Sequence, residues 1–201
     1  MMGKTHMSVA LATYMFYQTP QSWQEFTEWG VGAGIVLLTS RLPDIDEPRS
    51  GMGSLVMPWV PSWLRAFAFL VVGGFLVYFG WNNQQWLIFS IGSMYLFFAL
   101  IKHRESPSHG LVGLIFVSTI AYLINPAYLI PVIIGYGTHL FLDLITEGIA
   151  LFWPLTARQR IPLMQTNCIL ERWVIYRGTQ GYILWAVFQM IKPFFLSWEI
   201  F

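Results

Sequence analysis

The stretch YLIPVIIGYGTHLFLDLITEGIA, residues 128–150, decides how this chain folds. Its apolar run approaches the roughly 20 residues that cross a bilayer as a helix. Inside that run stand His139 and Asp143, four positions apart, so a helix sets them on one face, one turn from each other. Glu147 lies a further turn along, and Thr146 sits beside the stripe. Ionisable groups within apolar segments are expensive, and their default reading is functional. An imidazole and a carboxylate so placed can grip one cation. The plainer alternative is a His–Asp hydrogen bond inside a helix bundle.

The surrounding composition makes such groups conspicuous. The 201-residue chain is 56% hydrophobic and 17% aromatic, with 10% charged residues and a mean hydropathy of +0.56. A soluble domain carries about 25% charged residues, so the expected solvent is lipid. Length suggests a single domain over residues 1–201. A net charge of +1, with no basic run interleaved with aromatics, gives no case for nucleic acid. The single Cys168 excludes an internal disulfide or a CxxC zinc knuckle and reads as a small buried or interfacial residue. The N-terminal MMGKTHMSVALATYMFY has no A-x-A-like cleavage site and reads as a retained segment.

Apolar segments at 5–18, 28–40, 63–80, 84–101, 110–124, 128–151 and 180–198 predict an all-α, polytopic transmembrane helical bundle with about 5–7 membrane segments. Several are short, which suggests tilted, broken or re-entrant helices lining a cavity. If each segment crosses once, Lys4, Arg41, Arg49, Arg65, Lys102, Arg104, Arg158, Arg160, Arg172 and Arg177 share one side. The positive-inside rule makes that side cytoplasmic. Tryptophans near segment ends, such as Trp29, Trp81 and Trp86, fit an interfacial aromatic belt.

The same alternation gathers all four histidines and all three aspartates on that side. They occur in four clusters: GKTH (His6), LPDIDEP (Asp44, Asp46), HRESPSH (His103, His109) and HLFLD (His139, Asp143). The DxD turn can aim one carboxylate at a metal and the other at a partner or second ion. Pro107 breaks any continuous helix between His103 and His109, and a loop there can turn both imidazoles toward one centre. Arg104 can hold a phosphate or orient a carboxylate. The plain alternatives are a solvated acidic turn, a basic loop on anionic headgroups and a surface His6. Arg158, Arg160, Glu171 and Arg172 form a later polar stretch, read either as a charged interfacial loop or as a headgroup clamp. No GxSxG, P-loop or HExxH pattern is present.

At LPDIDEP, HRESPSH, GYGTHLFLDLITEGIALFWPLTARQRIP and LERW, together with an N-terminal His, the chain resembles the LexA-regulated, inner-membrane family of predicted metal-dependent hydrolases. That family is distantly similar to zinc-dependent phospholipase C and related nucleases. The resemblance implies that Asp44, His109, His139 and Asp143 hold one metal and that His6 contributes to another. Two departures stand out: Glu47 replaces the family's His in LPDIDHP, and the spacing between the two histidines is one residue longer in HRESPSH than in the family's HRGxTHS. Which of His103 and His109 ligates is therefore open.

Together these readings give an expected function, a metal-dependent hydrolase of the inner membrane with its site facing the cytoplasm. Its substrate would be a lipid-linked phosphoester or related lipid ester, attacked by metal-activated water. One or two ions are expected, zinc first, with Mn2+ or Mg2+ as alternatives. Asp46 or Glu47 is the expected general base or orienter. Arg104, with Arg158 or Arg160, would balance charge on the substrate, and Arg172 would help bind it. Two rivals are a non-catalytic structural role and a metal transporter, the latter requiring ligands spread along a path through the membrane.

Overall fold

The apolar segments form helices where the structure describes them, apart from the end of the 128–151 run. The computed structural model describes residues 2–20, 22–44, 60–100, 107–155 and 157–196. Among these are seven α-helices and no strand: α1 (Gly3–Tyr17), α2 (Trp23–Thr39), α3 (Ser62–Asn82), α4 (Trp86–Leu100), α5 (Leu111–Ile124), α6 (Leu129–Thr146) and α7 (Arg177–Leu196). Short 3-10 turns occupy Leu42–Asp44, Pro107–His109 and Pro126–Tyr128, and Leu170–Tyr176 forms a π-helical turn leading into α7.

Local chemistry sets the helix ends. Ser22 caps α2 by accepting the Glu25 N–H at 3.2 Å, in the S-x-x-E pattern of a capping box. Pro131 sits in the first turn of α6, where a missing N–H costs nothing. The sequence suggests an apolar segment to residue 151, but α6 stops at Thr146 because Gly148 turns left-handed, with φ of +81°. The chain then folds back: the N–H groups of Ile161 and Met164 reach the Leu144 and Ile145 carbonyls at 3.0 and 3.4 Å. Carbonyls that a helix end leaves unpaired are thereby satisfied.

Helix α6 is the hub, packed by α1, α2 and α5, while α7 packs on α1. Small apolar cores join them: Ala10 and Tyr14 against Ala33 and Val36, Met15 against Ala186 and Met190, and Tyr136 and Leu140 against Ile149. Helices α3 and α4 form a separate tight hairpin. A Cβ on Gly92 would lie 2.6 Å from the Val77 backbone nitrogen, and one on Gly73 2.8 Å from that of Leu96. Small residues let helix backbones approach in this way.

The outside is apolar and the inside partly polar. Phe75, Ile115, Leu184 and Phe188 are exposed, whereas His6, His109, His139 and Glu171 are buried. Large exposed apolar patches mark a membrane or partner surface. By length and apolarity, one described helical stretch, Pro126–Thr146, suffices to cross a bilayer. Phe67–Asn82, Trp86–Leu96 and Leu111–Ile124 are apolar but shorter.

Helices α2 and α6 approach each other closely at a glycine. A Cβ at Gly135 would collide with the Thr39 Oγ1 and meet the Val36 carbonyl at 2.5 Å, while one at Gly137 meets nothing within 4 Å. Gly135→Ala should therefore destabilise the protein by about 1–3 kcal/mol through overpacking. Gly137→Ala, in the same helix, should be neutral or stabilising by up to about 1 kcal/mol. Thermal unfolding of the two variants in detergent checks the contrast.

Candidate metal centre

Four separate elements bring the scarce polar groups to one end of the bundle. His6 comes from the first turns of α1. Asp44 ends the 3-10 turn after α2, held by its N–H to the Arg41 carbonyl at 3.1 Å. His109 closes the Pro107–His109 turn before α5, and His139 and Asp143 lie on α6. The Pro107–His109 turn is anchored by the Tyr136 hydroxyl, which donates to the Ser108 carbonyl at 2.5 Å. A Cβ on Gly113 would strike both that hydroxyl and the Pro107 carbonyl, so a glycine is needed there.

Asp44, His109, His139 and Asp143 each offer one ligand atom, and these four atoms lie within 4.8 Å of one another. The His139 Nε2 is 3.3 Å from Asp143 Oδ2 and 3.7 Å from Asp44 Oδ1. The His109 Nε2 is 3.5 Å from Asp44 Oδ1 and 3.9 Å from Asp143 Oδ2. Metal–ligand bonds of about 2.0–2.2 Å in a tetrahedral arrangement put neighbouring ligand atoms roughly 3.3–3.5 Å apart. The four His–Asp separations, 3.3–3.9 Å, start in that range, and the widest pair of the set, within 4.8 Å, would close by about 1.3 Å to enter it.

Tautomer chemistry sharpens the fit. The His139 Nδ1 is 2.8 Å from the Ser40 carbonyl, which can only accept, so Nδ1 carries the proton. Nε2 is then either a lone pair, in the neutral ring, or the carrier of a second proton toward the carboxylates, in the charged ring. It is fully buried, faces two carboxylates and has no hydrogen-bond partner. Lone pair against lone pair is repulsive, and either that second proton or a cation between them removes the repulsion. The Ser40 contact is also the kind of outer hydrogen bond that orients a ligating histidine. His109 has a counterpart, its Nδ1 sharing a 3.2 Å hydrogen bond with the Ser108 hydroxyl.

Burial alone would raise the Asp44 carboxyl, but the His109 hydrogen bond and the charges that His139 and His109 carry when protonated outweigh it and hold it at about 2. Asp44 is thus an anion over the whole neutral range. Its side chain is 25% exposed, against 11% or less for the others, which makes it the described group on the open side of the cluster.

His6 lies just outside the four-atom set. Its ring stacks on His139 with centroids 4.1 Å apart, and its Nε2 is 3.2 Å from Asp143 Oδ1. The two oxygens of Asp143 therefore face different partners: Oδ1 faces His6, while Oδ2 faces His109 and His139. The His6 Nδ1 is buried without a hydrogen-bond partner.

Asp46, Glu47, His103 and Arg104 lie outside the described residues. Arg158 and Arg160 flank Gln159, which pairs with Ile149 just beyond α6, and both are exposed. Arg172 is exposed and its Nε donates to Asn167 Oδ1 at 2.7 Å. Cys168 is half-buried, as a small interfacial residue would be.

Glu171 has a role that its reading as part of a charged interfacial loop does not contain. It is fully buried in the π-helical turn, its Oε1 accepting the Met2 N–H at 2.7 Å and its Oε2 the Asn167 N–H at 2.5 Å. A carboxylate at the positive end of α1 satisfies an N–H that the helix leaves unpaired and complements its dipole. It thereby fixes the helix that carries His6. The spacing of LERW from position 6 holds no signal of this pairing, because the two partners, Met2 and Glu171, lie 169 positions apart. Glu171→Ala should cost about 1.5–3 kcal/mol, the usual worth of a hydrogen bond to a charged group. Glu171→Gln, which keeps an acceptor, should cost less. Hydrogen exchange of the α1 amides should rise in the Ala variant first.

No curated protein and no solved structure gives a significant match to this chain. A family model does match, over residues 1–199, almost the full length. Its location agrees with the apolar exterior of the helices, and the chain belongs to the YdjM inner membrane protein family.

Proposed function

We propose that this protein is a polytopic inner-membrane hydrolase that cleaves a lipid-linked phosphoester or related lipid ester at a metal centre on the cytoplasmic end of its bundle. The observation that carries the reading is the buried Nε2 of His139 facing Asp44 and Asp143 with His109 alongside. Its inner-membrane setting is that of the family. The polytopic arrangement rests on seven helices among the described residues whose outer faces are apolar, the shorter ones crossing incompletely or where the bilayer thins around them. The inward orientation rests on the basic flanks of the apolar segments.

Asp44, His109, His139 and Asp143 would hold the ion. A mixed nitrogen–oxygen set of this kind suits zinc first, with Mn2+ as the harder alternative. Such an ion supplies Lewis acidity, bringing a water's pKa toward about 7 and polarising a phosphoryl or carbonyl oxygen. The protein's own groups do the rest. Ser40 and Ser108 keep the two imidazoles turned inward. His6 holds Asp143 from the far side, and would contribute to a second ion as the family resemblance implies. Water adds to phosphorus or acyl carbon, the ester bond to the alcohol breaks, and the water's proton passes to the departing oxygen. Asp46 or Glu47 is the proposed carrier of that proton. Arg104, with Arg158, Arg160 or Arg172, is the proposed partner of the substrate's anionic oxygens.

A site at helix ends suits a lipid substrate because the headgroup can enter while acyl chains remain in the bilayer. Elemental analysis of the purified protein should find at least one equivalent of transition metal. Asp143→Ala should lose it, together with turnover of a mixed phospholipid extract profiled by mass spectrometry. His6→Ala separates the two roles of His6. With one ion, metal is kept with affinity lowered about 10–100-fold, as for other outer-sphere residues; with two, one equivalent disappears. A metal-free wild-type protein that still turns over lipid would defeat the assignment.

A further inference from the structure

The seam between α4 and α5 is loosely filled, unlike the α3–α4 hairpin beside it. Two apolar cavities lie along it. The first, about 280 Å3, is lined by Ser93 and Met94 on α4, by Val112, Phe116 and Val117 on α5, and by Ser108. The second, about 370 Å3, lies between Leu87 and Ser90 on α4 and Ile120, Leu123 and Ile124 on α5. Later α4 residues thus face earlier α5 residues, so the helices run antiparallel and the two cavities follow one another along the seam. The 14-residue α5 makes that seam about 21 Å long, more than the ~15 Å of hydrocarbon in one leaflet.

No charged side chain lines either cavity. The Ser93 hydroxyl is already committed to the Phe89 carbonyl at 2.8 Å. An occupant of this seam is therefore hydrocarbon, long and narrow. At roughly 30 Å3 per water-sized group, the two volumes hold about nine and about twelve such groups. One end of the seam has a definite address: Ser108, which lines the first cavity, is bonded to the ring of His109. A chain lying in the seam thus ends beside the four-residue cluster.

We propose that the α4–α5 seam is an acyl-chain binding groove that seats the tail of the lipid substrate and delivers its ester end to the Asp44–His109–His139–Asp143 centre. The proposal rests on the hydrolase reading for its second half only; the seam can bind a chain whether or not the centre turns it over. For a single-chain lipid taken up from water, each methylene that enters the groove should strengthen capture about fourfold; for a lipid already in the bilayer the gain is small, because its tail leaves one hydrocarbon medium for another. The gain should stop once the seam is full.

The test uses full-length protein in nanodiscs of phosphatidylethanolamine and phosphatidylglycerol, doped with a phosphatidylglycerol carrying a diazirine on one acyl chain. After illumination, saturable cross-links should concentrate on Met94, Val112, Phe116 and Ile120, and unlabelled lipid should compete them away. Ser93→Trp, which plugs the first cavity, should cut that labelling at least tenfold. Ile115→Trp, on the exposed outer face of α5, should leave it unchanged. A second measurement needs no variant: kcat/KM over a series of single-chain lysophospholipids should climb with chain length and then level off.

Labelling spread evenly over outer and seam residues, or cross-links to a second copy of the chain, would overturn the groove. Seam labelling with no turnover of any lipid sinks the hydrolase reading alone. Turnover without seam labelling and with a flat chain-length profile sinks the groove alone. Asp143→Ala should abolish turnover and keep the seam labelled.

Discussion

The Nδ1–H of His139 is held by the Ser40 carbonyl, and the design of the centre follows from that bond. It fixes the proton on Nδ1 and turns the opposite nitrogen toward two carboxylates. It also sets the distance between α2 and α6, because Ser40 follows the last turn of α2. The approach depends in turn on Gly135, the residue whose hydrogen leaves room for Thr39 and Val36. Asp44 sits four positions beyond Ser40, and its arrival at the cluster is a consequence of the same approach. A backbone contact between two helices and a ligand's protonation state are here one constraint.

Much of this was legible in the sequence. The His139–Asp143 pair reads as one face of a helix from spacing alone, and it is one. Alternating the apolar segments places His6, Asp44, His109 and the HxxxD pair at one end, and the helices do deliver them there. Helix lengths were less legible. The apolar run at 128–151 gives no sign that α6 ends at Thr146, because the stop depends on a left-handed Gly148 and on the returning segment at 161–164. The contacts that orient the centre were not legible at all. Ser40, Ser108 and Tyr136 act through backbone carbonyls or a neighbouring hydroxyl, and a sequence pattern carries no record of such partners. Glu171 shows the same limit. Its charge suggests solvent, yet it is buried because the start of α1 supplies the N–H that a carboxylate needs.

The placement of the ligands bears on the rival readings. A transporter requires polar groups along a path through the bundle. The described ligands sit at one end, while the middle and far end of α6 are packed by Tyr136, Val132 and Pro131. Polar side chains elsewhere in the helices are mostly tied to their own backbone, as Thr39, Thr138 and Thr146 are. Among the described residues the buried ionisable side chains, His6, His109, His139, Asp143 and Glu171, are thus gathered toward one end of the bundle, as a reaction at an interface would need and a conduction path would not.

A purely structural role meets a thermodynamic objection. Three imidazoles and two carboxylates in a dry interior each lose hydration, and a mutual attraction repays that loss only when geometry and hydrogen bonds are complete. Here they are incomplete, since the His6 Nδ1 and the His139 Nε2 have no hydrogen-bond partner. Well-packed apolar residues of similar volume would stabilise such a bundle as well or better. As a device for holding helices together the cluster is poor. It makes physical sense once something of positive charge is allowed between its members. That charge would turn the His139 Nε2 and the crowded carboxylates from a cost into a binding site, and the helices that bear them would be the walls of that site.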